Sequence, residues 1–336
     1  MSKHYLTTAA VVTLAQLPLL ACVAGNDHGA STEPRSSVVV NREANPAAWS
    51  APVSLPINTS YIEQQPALSK DGLSLYFMSN RPENPNDAVL DNNIWVSHRA
   101  CLECSWGEPV VLPPGVNSAS NDAQPSLSRD EHWLFFVTGR VASQANDIWA
   151  AYRNDVHDDL AWQAPAPVRG GVNTIAAEGG RAYFANDEGG VAQLFFTSNM
   201  SRPTVALATD IYVSEQLPDG SWGPASPVSE LNTPGADQKP SVTPNGLEIY
   251  FWSDRDAGRA PAGASFIWRA TRSTTTAPWS TPVLAQDPIN DQSTTQPFIH
   301  VRGRVETLLI VRNVGTSDHP NLDLFVTTRT RPAGPT

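Results

Sequence analysis

The chain of 336 residues is short of the residue types on which most recognisable chemistry depends. Cysteine occurs only at Cys22, Cys101 and Cys104. Structural zinc wants four ligands, and only His98 lies near the C-x-x-C pair, so a disulfide between Cys101 and Cys104 is the better expectation. The seven histidines do not recur at matching places, and no His-based metal site assembles from them. Positive charge is scarce as well. With 22 Lys plus Arg against 33 Asp plus Glu the net charge is -11, which speaks against a phosphate-backbone partner and excludes nucleic acid as the expected ligand. No G-x-S-x-G, H-E-x-x-H, phosphate loop or dinucleotide fingerprint is present, so no cofactor is expected. Proline (29), glycine (21) and tryptophan (10) are plentiful, a mixture that favours turns and strands over long helices.

The one apolar run near the start, "LTTAAVVTLAQLPLLA", follows Lys3 and is too short and too early for a convincing spanning helix. It ends in "LLAC", Leu19 to Cys22, which resembles the lipobox of bacterial lipoproteins. The resemblance implies a signal peptide over 1–21 and lipidation of Cys22. It also implies a cell-envelope location, at the periplasmic side of the outer membrane or the cell surface, with the membrane reached through the lipid alone. Removing Cys22 from the count leaves the even pair Cys101 and Cys104, which an oxidising compartment would join. Residues 22–45 carry no sustained pattern and read as a tether.

From Trp49 on, the chain repeats. Trp49, Trp106, Trp162, Trp222 and Trp279 are spaced by 57, 56, 60 and 57 residues, a period that signals a repeat architecture. Each Trp opens a W-x-x-P-like segment. An Asn follows (Asn58, Asn117, Asn173, Asn232, Asn290), then a strand such as "QPALS", a turn such as "KDG", an aromatic strand such as "LSLYF", a longer loop and a strand such as "NIWVS". Four short strands per unit, repeated radially, predict an all-β five-bladed β-propeller over 46–330, followed by a tail over 331–336. Proline falls only in the first strand (A) and the last (D), as expected of the innermost and outermost strands, which have a free edge.

The stretch "QPALSKDGLSLYFMSNRPENPNDAVLDNNIWVSHR" resembles the WD-like repeats of TolB-type propellers, and the likeness extends over about residues 49–329. Units 1, 2 and 4 fit well. Unit 3 has Arg181 in place of Pro, and unit 5 has "VRGRV" in place of the D-G turn. The segment near Trp49 has no A, B and C strands before it, and "DLFVTTR" has no D strand after it. The N-terminal strand is therefore expected beside residues 322–329, completing the fifth blade.

The D-to-A and B-to-C connections emerge on one face, and the B-to-C loops are long and unlike each other, which marks the face for binding. Carboxylates recur there five residues after each repeat Asn: Glu63, Asp122, Glu178 and Asp237, with Thr294 or Thr295 in the fifth unit. They are expected to ring the channel mouth. One reading makes them the acid pair of a five-bladed propeller glycoside hydrolase, and another a hard-cation site. The structural reading pairs them with the recurring Arg81, Arg140 and Arg255, with Arg202 serving the third unit. Trp252 breaks the repeat and is the candidate for stacking on a ligand, whereas the repeat tryptophans are expected between blades. Asp147, Asp210 and Asp323 read as loop caps. The leading expectation is a monomeric, lipid-anchored propeller that binds an envelope protein or glycan. The hydrolase is the alternative.

Overall fold

The computed structural model describes residues 48–83, 90–141, 145–184, 190–201, 209–258, 264–316 and 320–332. The signal segment, Cys22, the tether, Arg202 and the last four residues of the expected tail lie outside the described residues.

Among the described residues twenty strands form five four-stranded antiparallel sheets, the blades of a propeller. In chain order, β1 (Val53–Ser54) comes first. Blade 1 is β2 (Glu63–Leu68), β3 (Ser74–Ser79), β4 (Asn93–His98) and β5 (Val110–Val111). Blade 2 is β6 (Asp122–Leu127), β7 (Trp133–Thr138), β8 (Asp147–Tyr152) and β9 (Ala166–Pro167). Blade 3 is β10 (Glu178–Phe184), β11 (Gln193–Ser198), β12 (Asp210–Glu215) and β13 (Ser226–Pro227). Blade 4 is β14 (Asp237–Val242), β15 (Glu248–Ser253), β16 (Phe266–Thr271) and β17 (Val283–Leu284). Blade 5 is β18 (Thr295–Arg302), β19 (Val305–Asn313) and β20 (Leu322–Thr330), completed by β1. Val53 pairs with Val326 and Ser54 with Phe325, so the closure expected from the sequence is present.

The second strands of the blades are apolar almost throughout because a blade inside a propeller is covered on both faces. In β3 five of six residues are buried. Five apolar clusters result, one for each blade-to-blade interface. Every repeat Trp enters the cluster shared with the preceding blade: Trp162 sits among Tyr76, Ile94 and Leu134, and Trp279 among Phe195, Ile211 and Ile249. The partner ring is the third aromatic-strand position of that preceding blade. Tyr76–Trp162, Phe135–Trp222, Phe195–Trp279 and Tyr250–Trp49 meet edge to face at centroid distances of 6.5, 6.3, 6.1 and 6.5 Å. An arginine near the end of the third strand lies over the indole in four blades: Arg99 on Trp106, Arg153 on Trp162, Arg272 on Trp279 and Arg329 on Trp49, at 4.2–4.5 Å.

The inner strands hold a feature the sequence reading did not foresee. Gln65, Gln124, Lys239 and Gln296 all have positive φ, between 53° and 59°, and Gly180 takes the same place in blade 3 with φ 44°. Each sits at a register shift in the ladder to the second strand. In four blades the next residue is Pro66, Pro125, Pro240 or Pro297. Proline there follows from a β-bulge, where the ladder has no use for its missing N–H, as well as from the free inner edge.

Candidate functional site

Each ring carboxylate is the first residue of an inner strand, and each is sealed from solvent: Glu63, Asp122 and Asp237 are 0 % exposed and Glu178 is 2 %. They circle the axis but do not line an open mouth. A short loop motif explains the burial. The repeat Asn turns back to the preceding blade, where Asn117 Oδ1 accepts from Ile94 N (2.8 Å) and its Nδ2 donates to Ile94 O (3.0 Å). Asn58, Asn173, Asn232 and Asn290 do the same with Leu324, Ile148, Ile211 and Ile267. The following Ser or Thr then donates both its backbone N–H and its hydroxyl to the acid four residues on: Thr59 to Glu63, Ser118 to Asp122, Thr174 to Glu178 and Thr233 to Asp237.

In three blades an arginine of the same blade completes the lock. Arg81 reaches Glu63 at 3.0 Å, Arg140 reaches Asp122 at 2.9 Å, and Arg255 pairs with Asp237. Each guanidinium also caps a loop carbonyl (Ile57, Val116, Leu231) and lies over two aromatic rings, as Arg140 does over Phe136 and Trp149 at 5.3 and 4.8 Å. These are charge-assisted contacts in a dry setting, where loss of one partner strands the other. Glu63→Gln should therefore lower stability by about 1.5–3 kcal/mol, read as a fall in Tm, by weakening a buried hydrogen bond to a charged group.

Blade 5 relocates the charge. Thr294 donates its hydroxyl to Ile289 O (3.0 Å), and the acid moves to Asp291, the place of the loop Ser or Thr. Arg312 pairs with Asp291 at 2.5 Å and bonds the carbonyls of Pro288 and Ile289. The sequence held the signal in "NDQST", where Asp follows the repeat Asn directly.

Glu178 differs from the other ring acids. Its partners are Thr174 and Ser198, and among the described residues no cation neutralises it. Burial raises its carboxyl above the usual range, and the nearby Asp147 raises it further. Asp147, at the start of β8, is raised by burial too. Its Oδ1 is buried with no hydrogen-bond partner, as is that of Asp323 at the start of β20. These two are thus not the loop caps expected from the sequence. Asp210 does accept from Ser201 Oγ, at 2.5 Å. Asp323 is pushed up to about 6 by burial and by Glu63 of the next blade. The sign follows directly. The folded state holds this proton more tightly than the unfolded chain, so stability falls as pH rises from about 4 through about 6. Asp323→Asn should raise Tm at pH 7.5 and leave it nearly unchanged at pH 4, as thermal melts at the two pH values would show.

Trp252 is half-buried. It lies in β15 against the cluster between blades 4 and 5, and its indole N–H is buried without a partner. Tertiary packing decides its role, which the break in the repeat pattern cannot reveal. Cys101 and Cys104 form a disulfide in the connection after β4. Among the described residues no group of three or more His, Cys, Asp or Glu side chains is placed to hold a metal ion.

No protein-family model and no curated protein sequence matches the chain. Solved structures do. An α-L-arabinofuranosidase from Podospora anserina, in complex with cellotriose, superposes with a TM-score of 0.57 at 12 % identity, covering 86 % of this chain and 98 % of its own. An endo-arabinase from Bacteroides thetaiotaomicron gives 0.54 at 12 %, with 84 % and 98 % covered. A family 117 glycoside hydrolase from Zobellia galactanivorans gives 0.54 at 10 %, with 84 % and 90 % covered. The fold is the five-bladed propeller, and its structural neighbours are glycoside hydrolases.

Proposed function

We propose that this chain acts on carbohydrate as a five-bladed propeller glycoside hydrolase, with Glu178 and Asp147 as its working carboxyl pair. The observation that carries the reading is the asymmetry of the ring. Three acids are held by arginine, whereas Glu178 has no cation partner among the described residues and is raised by burial and by the nearby Asp147, itself raised by burial. Glycoside hydrolysis requires one carboxyl that keeps its proton near neutral pH and a second that does not. Burial and like charge are the means by which a protein raises such a carboxyl. Glu178 is the proton donor in this reading and Asp147 its ionised counterpart. Two of the solved neighbours are an α-L-arabinofuranosidase and an endo-arabinase, which makes arabinose-bearing glycans the first substrates to try. The test measures reducing sugar released from arabinan and arabinoxylan by the full chain. Release that falls at least 100-fold in Glu178→Gln at unchanged Tm supports the reading. No release from any substrate, or equal loss in Glu63→Gln, overturns it.

A second reading keeps the D-A/B-C face as a binding surface for an envelope protein or glycan, without chemistry. The arginine locks on Glu63, Asp122 and Asp237 favour it, since they make that face rigid. In either case the TolB-like repeat pattern and the "LLAC" segment support a lipid-anchored envelope protein modified at Cys22. Metabolic labelling with a radioactive fatty acid, lost in Cys22→Ser, tests that placement.

A further inference from the structure

A cavity of about 220 Å³ runs along the inner strands from the ring of bulges to the A–B turns, at the opposite end of the channel from the ring acids. Its walls are apolar: Pro66, Leu68, Pro125, Pro240, Pro297 and Phe298. Its inner end is the bulge ring. Gln296 Oε1 accepts the N–H of Gln65 (3.0 Å), Gln65 Oε1 accepts that of Gln124 (2.9 Å), and Gln124 Oε1 accepts that of Gly180. A backbone N–H can be met only by the amide oxygen, so this relay fixes which way each amide faces. The Gln296 Nε2 goes to Gln64 Oε1 (2.7 Å). Among the described residues the Nε2 groups of Gln65 and Gln124 have no acceptor, so the polar end of the cavity offers donors.

Charge points the same way. The whole chain carries -11, and its only lysines are Lys3, Lys70 and Lys239; two of the three line this cavity, together with Arg129. The lining holds a single carboxylate, Glu131, which already accepts Lys70 N at 2.7 Å. His300 Nε2 donates to the Lys70 carbonyl oxygen at 3.0 Å, and burial favours the neutral form of the ring. N–H donors at the bulge end of an apolar bore, with Lys239 at the same ring position, suit an anion with an apolar body. A dry engineered cavity of about 150 Å³ takes benzene, so this one has room for an aromatic ring and a carboxylate.

We propose that the turn-side half of the channel is a binding site for a small aromatic or aliphatic monocarboxylate. Its carboxylate meets Gln65, Gln124 and Lys239, and its apolar body lies against the proline ring. The site is independent of the hydrolase reading.

Isothermal titration of the full chain with sodium benzoate, and separately with benzyl alcohol, tests it. Benzoate should bind at least 10-fold more tightly than the alcohol, weaken with added salt, and lose at least 10-fold in Lys239→Met at a Tm within a few degrees of the parent. Equal affinity for the two compounds, no benzoate binding, or full benzoate binding in a folded Lys239→Met overturns the proposal. The benzoate–alcohol comparison needs no variant, so it stands even where Lys239→Met does not fold.

Discussion

Deleting residues 48–58 abolishes cooperative folding of the whole propeller and does not merely trim one edge. The segment supplies β1, whose backbone pairs with Val326 and Phe325, and it contributes Trp49, Leu55 and Ile57, each 6 % exposed. Burial of such side chains stabilises by about 1.5–3 kcal/mol apiece, so the three together represent about 5–9 kcal/mol, the range of a domain's entire stability. Trp49 belongs to the core between blades 4 and 5, and Leu55 and Ile57 to the core between blades 5 and 1, so the loss falls on both sides of the fifth blade. Differential scanning calorimetry should show no cooperative transition in the truncated chain. A circular permutant that joins the segment directly after residue 332 should recover it. A truncated chain that melts normally would mean that closure is dispensable.

Arg153→Met is expected to cost about 3–5 kcal/mol, the penalty for stranding a buried partner charge. Arg153 is 1 % exposed, lies 4.4 Å over Trp162, donates to Glu131 O at 2.9 Å and pairs with Asp159. Burial alone would raise the Asp159 carboxyl. Hydrogen bonds from Tyr76, Ser74, Arg153 and His98 outweigh burial and hold it below the usual range. A lowered folded value means stability that is present above the unfolded pKa and is lost as pH falls through the folded one. In Arg153→Met that carboxylate keeps its hydroxyl partners and loses its counter-charge. Chemical denaturation at pH 7 should report the deficit, and it should shrink towards pH 3 as Asp159 takes up a proton. A loss under about 1 kcal/mol would show that the remaining donors suffice.

The reason Arg153 sits there was half written in the sequence. Where the aromatic strand carries Tyr, at Tyr76 and Tyr250, the next blade answers with an ionic network. Asp159 and Arg153 meet Tyr76, and Arg329 donates to the Tyr250 hydroxyl at 3.1 Å while pairing with Glu306. Where it carries Phe, at Phe135 and Phe195, the ring meets Trp222 or Trp279. A phenol hydroxyl buried between blades needs a polar partner, and a phenyl does not. The Trp period, the Asn and the ring acids were legible because each serves every blade alike, and repetition exposes such residues. Repetition also hides whatever departs from it. The move of the fifth acid from the strand start to Asp291 and the packing of Trp252 against the cluster between blades 4 and 5 depend on neighbours brought in from other blades. The bulges were invisible for a different reason: "QP" and "KP" are as compatible with an edge strand as with a left-handed residue before proline. Arg331, assigned to the tail, also bonds Glu306 Oε1 at 2.6 Å and pairs with Glu248 at 2.5 Å, so the ordered network runs at least one residue past the last strand.

The division of the ring into arginine-locked acids and Glu178, which no cation neutralises among the described residues, underlies the functional reading, and one paired measurement tests it. Thermal unfolding of Asp122→Asn and Glu178→Gln, each against the parent at pH 7, gives the comparison. Asp122 is paired with Arg140 and accepts from Ser118, so Asp122→Asn should lose several degrees. Glu178 is more easily protonated in the fold than in the unfolded chain, which makes its ionised form a cost above the folded pKa. Glu178→Gln should therefore hold its Tm within about 1 °C or gain. Equal losses in the two variants would contradict the division and, with it, the assignment of Glu178 as the working acid.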